Sequence, residues 1–378
     1  MDFELTETQT LVQKAARDFA AATIAPQAKA IEDGEHIPDA LLAQLGELGL
    51  MGVNLPENYG GSAAGVVAYS LAMSEISRAC ASTSVTMAVV NMVGEVIEEF
   101  GNDAQREMYI PMTCSGKRLG AFALSEVGAG SDPGALRTTA TQDGDHWIIR
   151  GDKQWISHAD RSGVMVVWAR TSGEGTRGLS CFLVPGDAEG VRIGKKEDKM
   201  GLRGSATCAL VFEDVRVPAS ALLGEEGQGF KIAMMALDGG RIGIASQAIG
   251  IGEAALAAAL SYAKERKTFG KAIADYQAIQ WMIADSRTEL DAARLLTLRA
   301  ALRKEQGAPF TREASMAKVY ASEAAWRVCD RALQIHGGYG YTREFPVERY
   351  LRDVRVTRIY EGTSEVQRIV ISRQVLKG

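Results

Sequence analysis

The chain has 378 residues, 46% of them hydrophobic and 24% charged. That balance excludes wholesale disorder and a fibrous protein, and the length suits two or three domains. Lysine plus arginine number 42 against 47 aspartate plus glutamate, a formal charge of −5 with no basic run, which argues against nucleic acid or an anionic membrane as partner.

The first third reads as helical. Thr6-x-x-Gln9 has the form of a capping box, and Leu11, Val12, Ala15, Ala16, Phe19 and Ala22 recur behind it at helical spacing. Leu41, Leu42, Leu45 and Leu48 predict a short helix stopped by Gly49, and helices are expected again near 63–80, 84–100 and 102–115. The texture then changes. Residues 146–150, 164–170, 179–184 and 208–213 are short β-type runs separated by turn signals such as Asp143-Gly144-Asp145, Gly173-Glu174-Gly175 and Pro185-Gly186-Asp187. They predict a compact antiparallel domain. Segments 226–263, 275–306 and 311–336 are long, rich in alanine and leucine, and read as helices that need one another to bury their apolar faces.

No stretch approaches the roughly 20 apolar residues of a spanning helix, and Met1-Asp2-Phe3-Glu4-Leu5 has no basic n-region or apolar h-region, so no signal peptide is expected. Cys80, Cys114, Cys181, Cys208 and Cys329 form no C-x-x-C pair, and the four histidines lie far apart. Neither a disulfide framework nor a metal site is expected, and the chain reads as a soluble protein of a reducing compartment. Gly250-Ile251-Gly252-Glu253-Ala254-Ala255 mimics a dinucleotide fingerprint, but no strand precedes it. Small residues that let two helices approach are the better reading.

Four segments carry possible chemistry. Residues 122–132, Phe-Ala-Leu-Ser-Glu-Val-Gly-Ala-Gly-Ser-Asp, run from a strand end into a loop rich in glycine and hydroxyls, suited to close approach to a flat or phosphorylated ligand or equally to a surface turn. In Lys153-Gln154-Trp155-Ile156-Ser157 the tryptophan is either a stacking wall beside a hydroxyl donor or, as the commoner case, a core aromatic on a strand. Gln334-Ile335-His336-Gly337-Gly338-Tyr339-Gly340-Tyr341 has more glycine than a helix C-cap requires. In Ile359 to Arg368, Thr363 or Ser364 can cap the following helix, while Glu361 before a glycine is a plausible general base; position alone does not decide.

Together these segments resemble the acyl-CoA dehydrogenase family over essentially the whole chain. The resemblance rests on residues 122–132, Trp155-Ile156-Ser157, Lys199-Met200-Gly201-Leu202-Arg203-Gly204-Ser205, Glu265-Arg266-x-x-Phe269-Gly270, Gln334 to Tyr341 and Tyr360-Glu361-Gly362-Thr363. Leu237-Asp238-Gly239-Gly240-Arg241-Ile242-Gly243-Ile244-Ala245 is most similar to the short-chain, butyryl-CoA-type members. The resemblance implies an α+β multidomain fold: an N-terminal helical domain (1–117), a middle antiparallel β domain (118–222) and a C-terminal four-helix bundle (223–378).

It also implies an FAD enzyme that converts an acyl-CoA to the trans-2-enoyl-CoA. Glu361 would remove the α-proton while a hydride leaves the β-carbon for flavin N5, and the Glu361 N–H with a ribityl hydroxyl would hold the thioester carbonyl. By position, Phe122, Leu124, Ser125, Trp155 and Ser157 would contact the flavin. Arg266, Phe269, Gln277, Gln334 and Gly338 would bind the FAD of a neighbouring subunit. Thr363 and Glu365 would contact the adenosine part of FAD. Ser131, Asp238, Arg241 and Gly362 would face the substrate. A shared FAD implies an oligomer, in this family usually a homotetramer, passing electrons to an electron-transferring flavoprotein.

Val127, Ser157 and His158 stand where proline, threonine and asparagine are common in the family. Some relatives carry the base just before the arginine matching Arg241; here that position is Gly240, leaving Glu361. No lysine or arginine lies between Arg78 and Arg106, where Ser82, Thr83, Ser84, Thr86, Met87 and Val90 are expected to line the acyl pocket, so the acyl chain is expected to be uncharged and short. The rival readings are an oxygen-using flavoenzyme of the same fold and a non-catalytic acyl-CoA binding protein. A bacterial cytoplasm is expected, with the mitochondrial matrix as the alternative.

Overall fold

The computed structural model describes residues 4–173 and 175–377. Met1–Phe3, in the stretch read for a signal peptide, and Glu174, in a predicted turn, lie outside the described residues. Helix α1 (Glu7–Phe19) opens on the expected capping box: Thr6 Oγ1 accepts from the Gln9 N–H at 3.2 Å while Gln9 Oε1 accepts from the Thr6 N–H at 3.0 Å. Helix α2 (Ala28–Gly34) was not anticipated. Helix α3 (Asp39–Glu47) stops just before Gly49, whose φ of 71° no β-carbon obstructs. Helices α4 (Val66–Ala79), α5 (Ala81–Phe100) and α6 (Asp103–Cys114) follow.

Strands β1 (Leu119–Ala123), β2 (Thr139–Asp143), β3 (His146–Ser157), β4 (Ser162–Arg170), β5 (Leu179–Pro185), β6 (Val191–Lys196), β7 (Thr207–Pro218) and β8 (Leu222–Leu223) form one sheet in the order β6-β7-β3-β2-β4-β5-β8, with β1 added to β4. Most pairs are antiparallel as expected, but β1 and β2 run parallel to β4, so the sheet is mixed. Strand β4 is buried on both faces: Val164, Val166 and Trp168 pack toward the helices, Met165, Val167 and Ala169 toward the opposite side. The sequence showed no sign of β2 and β6, which carry mostly exposed side chains and no clean alternation.

Trp168 Nε1 donates to the Gly229 carbonyl at 2.7 Å, fixing where α7 (Gly229–Glu265) leaves the sheet. A tight hairpin, β9 (Lys267–Thr268) and β10 (Lys271–Ala272), leads to α8 (Gln277–Glu305), α9 (Thr311–His336), α10 (Val347–Arg355) and α11 (Ser364–Leu376). Contrary to expectation, α7 is long and apolar enough to cross a membrane by length and composition alone, yet 83% of its most apolar window is buried inside the protein. Its Gly250 and Gly252 mark close helix contacts: a β-carbon would meet Ser74 O at 2.3 Å and Leu290 Cδ2 at 2.7 Å. That settles the fingerprint lookalike as packing.

The Lys199–Ser205 segment sits where N-terminal helices, sheet and C-terminal helices meet. Arg352 of α10 donates to Glu32 of α2 at 2.5 Å and to the Met200 carbonyl at 2.9 Å, while the Leu202 N–H donates to Asp353 Oδ1 at 2.7 Å. Burial pushes the Asp353 carboxyl up to about 7. The five cysteines are all buried as free thiols.

Candidate active site

Two of the four segments are built into one unit. The register of β3 against β7 slips between Lys153 and Ile156, and within this bulge Trp155 takes a φ of 64°. A bulge re-aims a side chain, and here it turns the indole outward, 60% exposed. The core-aromatic reading of Trp155 is therefore wrong: most of the ring faces outward. The Gln154 N–H donates to the Ser125 carbonyl at 2.9 Å, tying the bulge to the 122–132 loop.

A buried lysine makes the same connection from inside. Lys153 Nζ donates to Glu126 Oε1 at 2.8 Å and to the Leu124 carbonyl at 3.2 Å. Glu126 also accepts the Arg137 and Thr138 N–H groups at 2.6 and 3.0 Å. Burial drives the Lys153 ammonium down to about 8. Burial also raises Glu126, but Lys153 and the N–H donors outweigh it and hold the carboxyl below its ordinary range. Phe122 packs on Trp168 with ring centroids 4.4 Å apart, Leu124 is in the core, Ser125 and Ser157 are half-buried, and Ser131 is exposed. His158 takes a φ of 62° and bonds Thr86 Oγ1 of α5 at 3.0 Å; burial pushes it down to about 4, so it is neutral at pH 7.

The fourth segment meets α7 and α9. Glu361 and Gly362 take consecutive left-handed conformations, φ 54° and 88°. Gln367 Nε2, one turn into α11, donates to both their carbonyls, at 3.2 and 3.0 Å. Thr363 Oγ1 caps α11 by accepting the Val366 N–H at 3.3 Å, and Glu365 is exposed in its first turn. The Glu361 carboxylate lies where a side chain on Gly240 would be: a β-carbon there would come within 2.6 Å of Oε2 and 3.2 Å of Met92 Sδ. Oε2 is buried without a hydrogen-bond partner among the described residues. Burial pushes the group up to about 7, and Arg241 and Lys318 pull the other way.

Arg241 is buried and donates to Asp238 and to Ser315 Oγ, leaving its Nε buried and unpartnered. Asp238 also accepts from Thr311 Oγ1, and burial raises its carboxyl despite these partners. Sequence reasoning missed three residues here. Lys318 of α9 donates to the Gly362 carbonyl at 2.6 Å. Tyr69 presses its hydroxyl against Gly243, 2.5 Å from where a β-carbon would stand. Gln247, fully buried two turns along α7 from Gly240, accepts from Tyr360 OH and donates to Ala81 O and Ser84 Oγ at 3.0 and 3.1 Å. Their partners lie tens to hundreds of positions away, so no local pattern marks them.

Helix α5 is the shared wall, but two of its expected lining residues face elsewhere. Met87 and Val90 join the N-terminal helical core, while Val85, Val89 and Met92 join the core shared with α7. Besides Arg241 and Lys318, a cation from α8 comes near: Lys304 Nζ is 2.6 Å from Glu95 Oε2, beside Gly239.

The third segment gathers at another place. Arg266 lies over the Tyr339 ring at 5.8 Å, Phe269 is 99% exposed at the hairpin tip with a φ of 50°, and Gln277, Gln334 and Gly338 are exposed. Within one chain these five do not join the Glu361 site.

The bulge that presents the exposed Trp155 indole is thus bonded to the 122–132 loop, and at a second place the Glu361 Oε2 atom is buried with no hydrogen-bond partner among the described residues. Family models for the N-terminal, middle and C-terminal domains of acyl-CoA dehydrogenases match residues 6–117, 121–215 and 227–376. The chain belongs to the acyl-CoA dehydrogenase family, whose members are flavoproteins. It is 49% identical to the mitochondrial short-chain specific acyl-CoA dehydrogenase of Bos taurus over 377 residues, 99% of this chain and 91% of the relative. The solved butyryl-CoA dehydrogenase of Megasphaera elsdenii superposes with a TM-score of 0.97 at 42% identity, covering 100% of both chains. A chain from the solved structure of the electron transferring flavoprotein of Acidaminococcus fermentans, a study of flavin-based electron bifurcation, gives a TM-score of 0.98 at 44% identity, again covering 100% of both.

Proposed function

We propose that the chain carries out the α,β-dehydrogenation of a short, uncharged acyl-CoA, with Glu361 as the base that takes the α-proton. The observation that carries this is the Glu361 Oε2 atom, buried without a partner in the space Gly240 leaves open. A buried carboxylate without a donor is costly, and one pushed up to about 7 is matched to proton abstraction near neutral pH.

The exposed Trp155 indole and the polar loop it adjoins fit a flat ring system such as FAD. Phe122, Leu124, Ser125, Trp155 and Ser157 would hold the flavin, and Thr363 and Glu365 would lie toward the adenosine. Arg266, Phe269, Gln277, Gln334 and Gly338 would reach the FAD of a neighbouring copy in a homotetramer, which suits their exposure here. When bound, FAD would supply the hydride acceptor, with an electron-transferring flavoprotein as the proposed electron acceptor. The chain's own part is to place and ionise Glu361, to offer its N–H to the thioester carbonyl, and to exclude water. Ser131, Asp238, Arg241 and Gly362 would face the CoA side.

We read Gln247, buried two turns along α7 from Gly240, as the floor against which the acyl chain would end. From Gly240 to Gln247 is seven residues, or about 10 Å of helix, and contact distances of about 3.5–4.0 Å at each end leave room for only a few carbons. Lys304 is neutralised by Glu95 and Arg241 by Asp238, so neither offers a free charge to a dicarboxylate substrate. Gln247→Ala is expected to raise the octanoyl-to-butyryl ratio of kcat/KM by at least about tenfold; an unchanged ratio would place the floor elsewhere.

The test of the whole reading is an anaerobic titration of the purified protein with butyryl-, isobutyryl-, octanoyl- and glutaryl-CoA in turn. Stoichiometric bleaching of the flavin band by one of the first two supports it. Bleaching by octanoyl-CoA alone would keep the reaction and overturn the short pocket. Flavin left oxidised by all four would overturn the reading.

A further inference from the structure

One buried charge remains without a role. Lys318 on α9 is wholly inaccessible, yet no carboxylate lies within ion-pairing distance of its Nζ among the described residues. Its observed hydrogen bond is to a neutral main-chain carbonyl, that of Gly362, at 2.6 Å. Burying an ammonium for one neutral acceptor is unfavourable compared with a serine or glutamine making the same bond. The charge itself therefore calls for a reason.

The place of that carbonyl supplies one. Gly362 follows Glu361, and both residues hold positive φ. The peptide planes on either side of Glu361 decide where its N–H points and where its side chain leaves the backbone. Gln367 Nε2 reaches both carbonyls from the α11 side, and Lys318 takes the second from α9. The turn is thus clamped between two helices. Beyond the clamp, the Lys318 charge faces the Glu361 carboxylate across the turn, while Arg241 faces it from α7.

We propose that Lys318 is a positioning residue of the dehydrogenation site: its ammonium clamps the Gly362 carbonyl, fixes the Glu361 turn, and supplies positive field that keeps Glu361 ionised in the resting enzyme. This rests on Glu361 being the base. The groups facing the pair are Arg241 from α7, Tyr69 from α4, Glu323 on α9, Glu365 from α11 and the neighbouring Tyr360. Burial moves Lys318 down to about 7 and Glu361 up to about 7, and each holds the other's charged form. Removing the lysine charge must make Glu361 harder to ionise.

The experiment compares Lys318→Met, which loses donor and charge, with Lys318→Gln, which keeps a donor. The readouts are flavin content and the pH dependence of kcat/KM for butyryl-CoA. Both variants are expected to retain FAD and to move the acid limb to higher pH by about one unit, since a lost facing charge is worth that order. Lys318→Met is expected to lose a further 10- to 100-fold in kcat with KM changed less than threefold, and Lys318→Gln to recover most of that kcat. If Lys318→Met fails to accumulate with flavin, the glutamine variant decides: a wild-type acid limb in it overturns the proposal. A fall in melting temperature alone, with kcat and both limbs unmoved, likewise overturns it. Full turnover in Glu361→Gln would instead remove the base assignment, a result neither lysine variant can mimic.

Discussion

Glu361→Gln is expected to purify yellow, with its flavin and oligomeric state intact, and to lose a factor of about 100 to 10,000 in turnover, the usual contribution of a positioned base. The substitution keeps volume and removes only basicity. The turn should survive, because it is held through main-chain carbonyls by Gln367 and Lys318 and not through the carboxylate. A pH effect accompanies it. The base works only when deprotonated, and burial has pushed its folded-state value up to about 7. Wild-type kcat/KM should therefore fall on the acid side of about 7, by about tenfold for each further pH unit. Stopped-flow bleaching of the flavin by butyryl-CoA between pH 5.5 and 9 checks both points. Unimpaired bleaching in the variant would end the assignment of Glu361 as base.

Lys153→Met carries the second large effect, on cofactor retention and stability together. The Lys153 side chain is completely buried and joins the β3 bulge to the 122–132 loop through Glu126 and the Leu124 carbonyl. Removing one partner of a buried pair typically costs about 3–5 kcal/mol, because the other charge is left uncompensated. Glu126 would keep two main-chain donors, from Arg137 and Thr138, which places the loss toward the lower end. The loop that presents Ser125, and the bulge that presents Trp155, would no longer be fastened to each other from inside. The flavin-to-protein absorbance ratio should drop after gel filtration, and the melting temperature should fall by several degrees. A variant with full flavin content and unchanged melting would show that the loop is held by its main chain alone.

How much of this was legible in advance differs by kind of signal. Local chemistry read well: Thr6 and Gln9 cap each other, Gly49 ends its helix, and Trp168 lies in a run that becomes the doubly buried β4. Patterns that depend on burial read poorly where the element is exposed, as in β2. Trp155 misled for a specific reason. Alternation assigns a face only while the register holds, and the bulge that turns the indole outward is a property of the β3–β7 pairing. The polar residues closing the site were beyond any local reading. Gln247, Tyr69 and Lys318 sit in unremarkable helical sequence and acquire meaning only through partners on other helices. On α5 the composition suggested an uncharged lining, but which residues point inward followed from how the helix rolls against α7.

The missing side chain at Gly240 also bears on how this family can change. On the proposal that Glu361 is the base, a carboxylate placed at position 240 would compete for the volume the Glu361 carboxylate fills here, since even a methyl group at 240 would stand 2.6 Å from Oε2. The two arrangements therefore compete for one seat. A lineage could not gain a carboxylate at 240 while keeping the one at 361 in working position. Moving the base would take paired changes, with an idle intermediate unless both came together, and that barrier would keep the two kinds of enzyme apart even where the rest of the chain drifts freely.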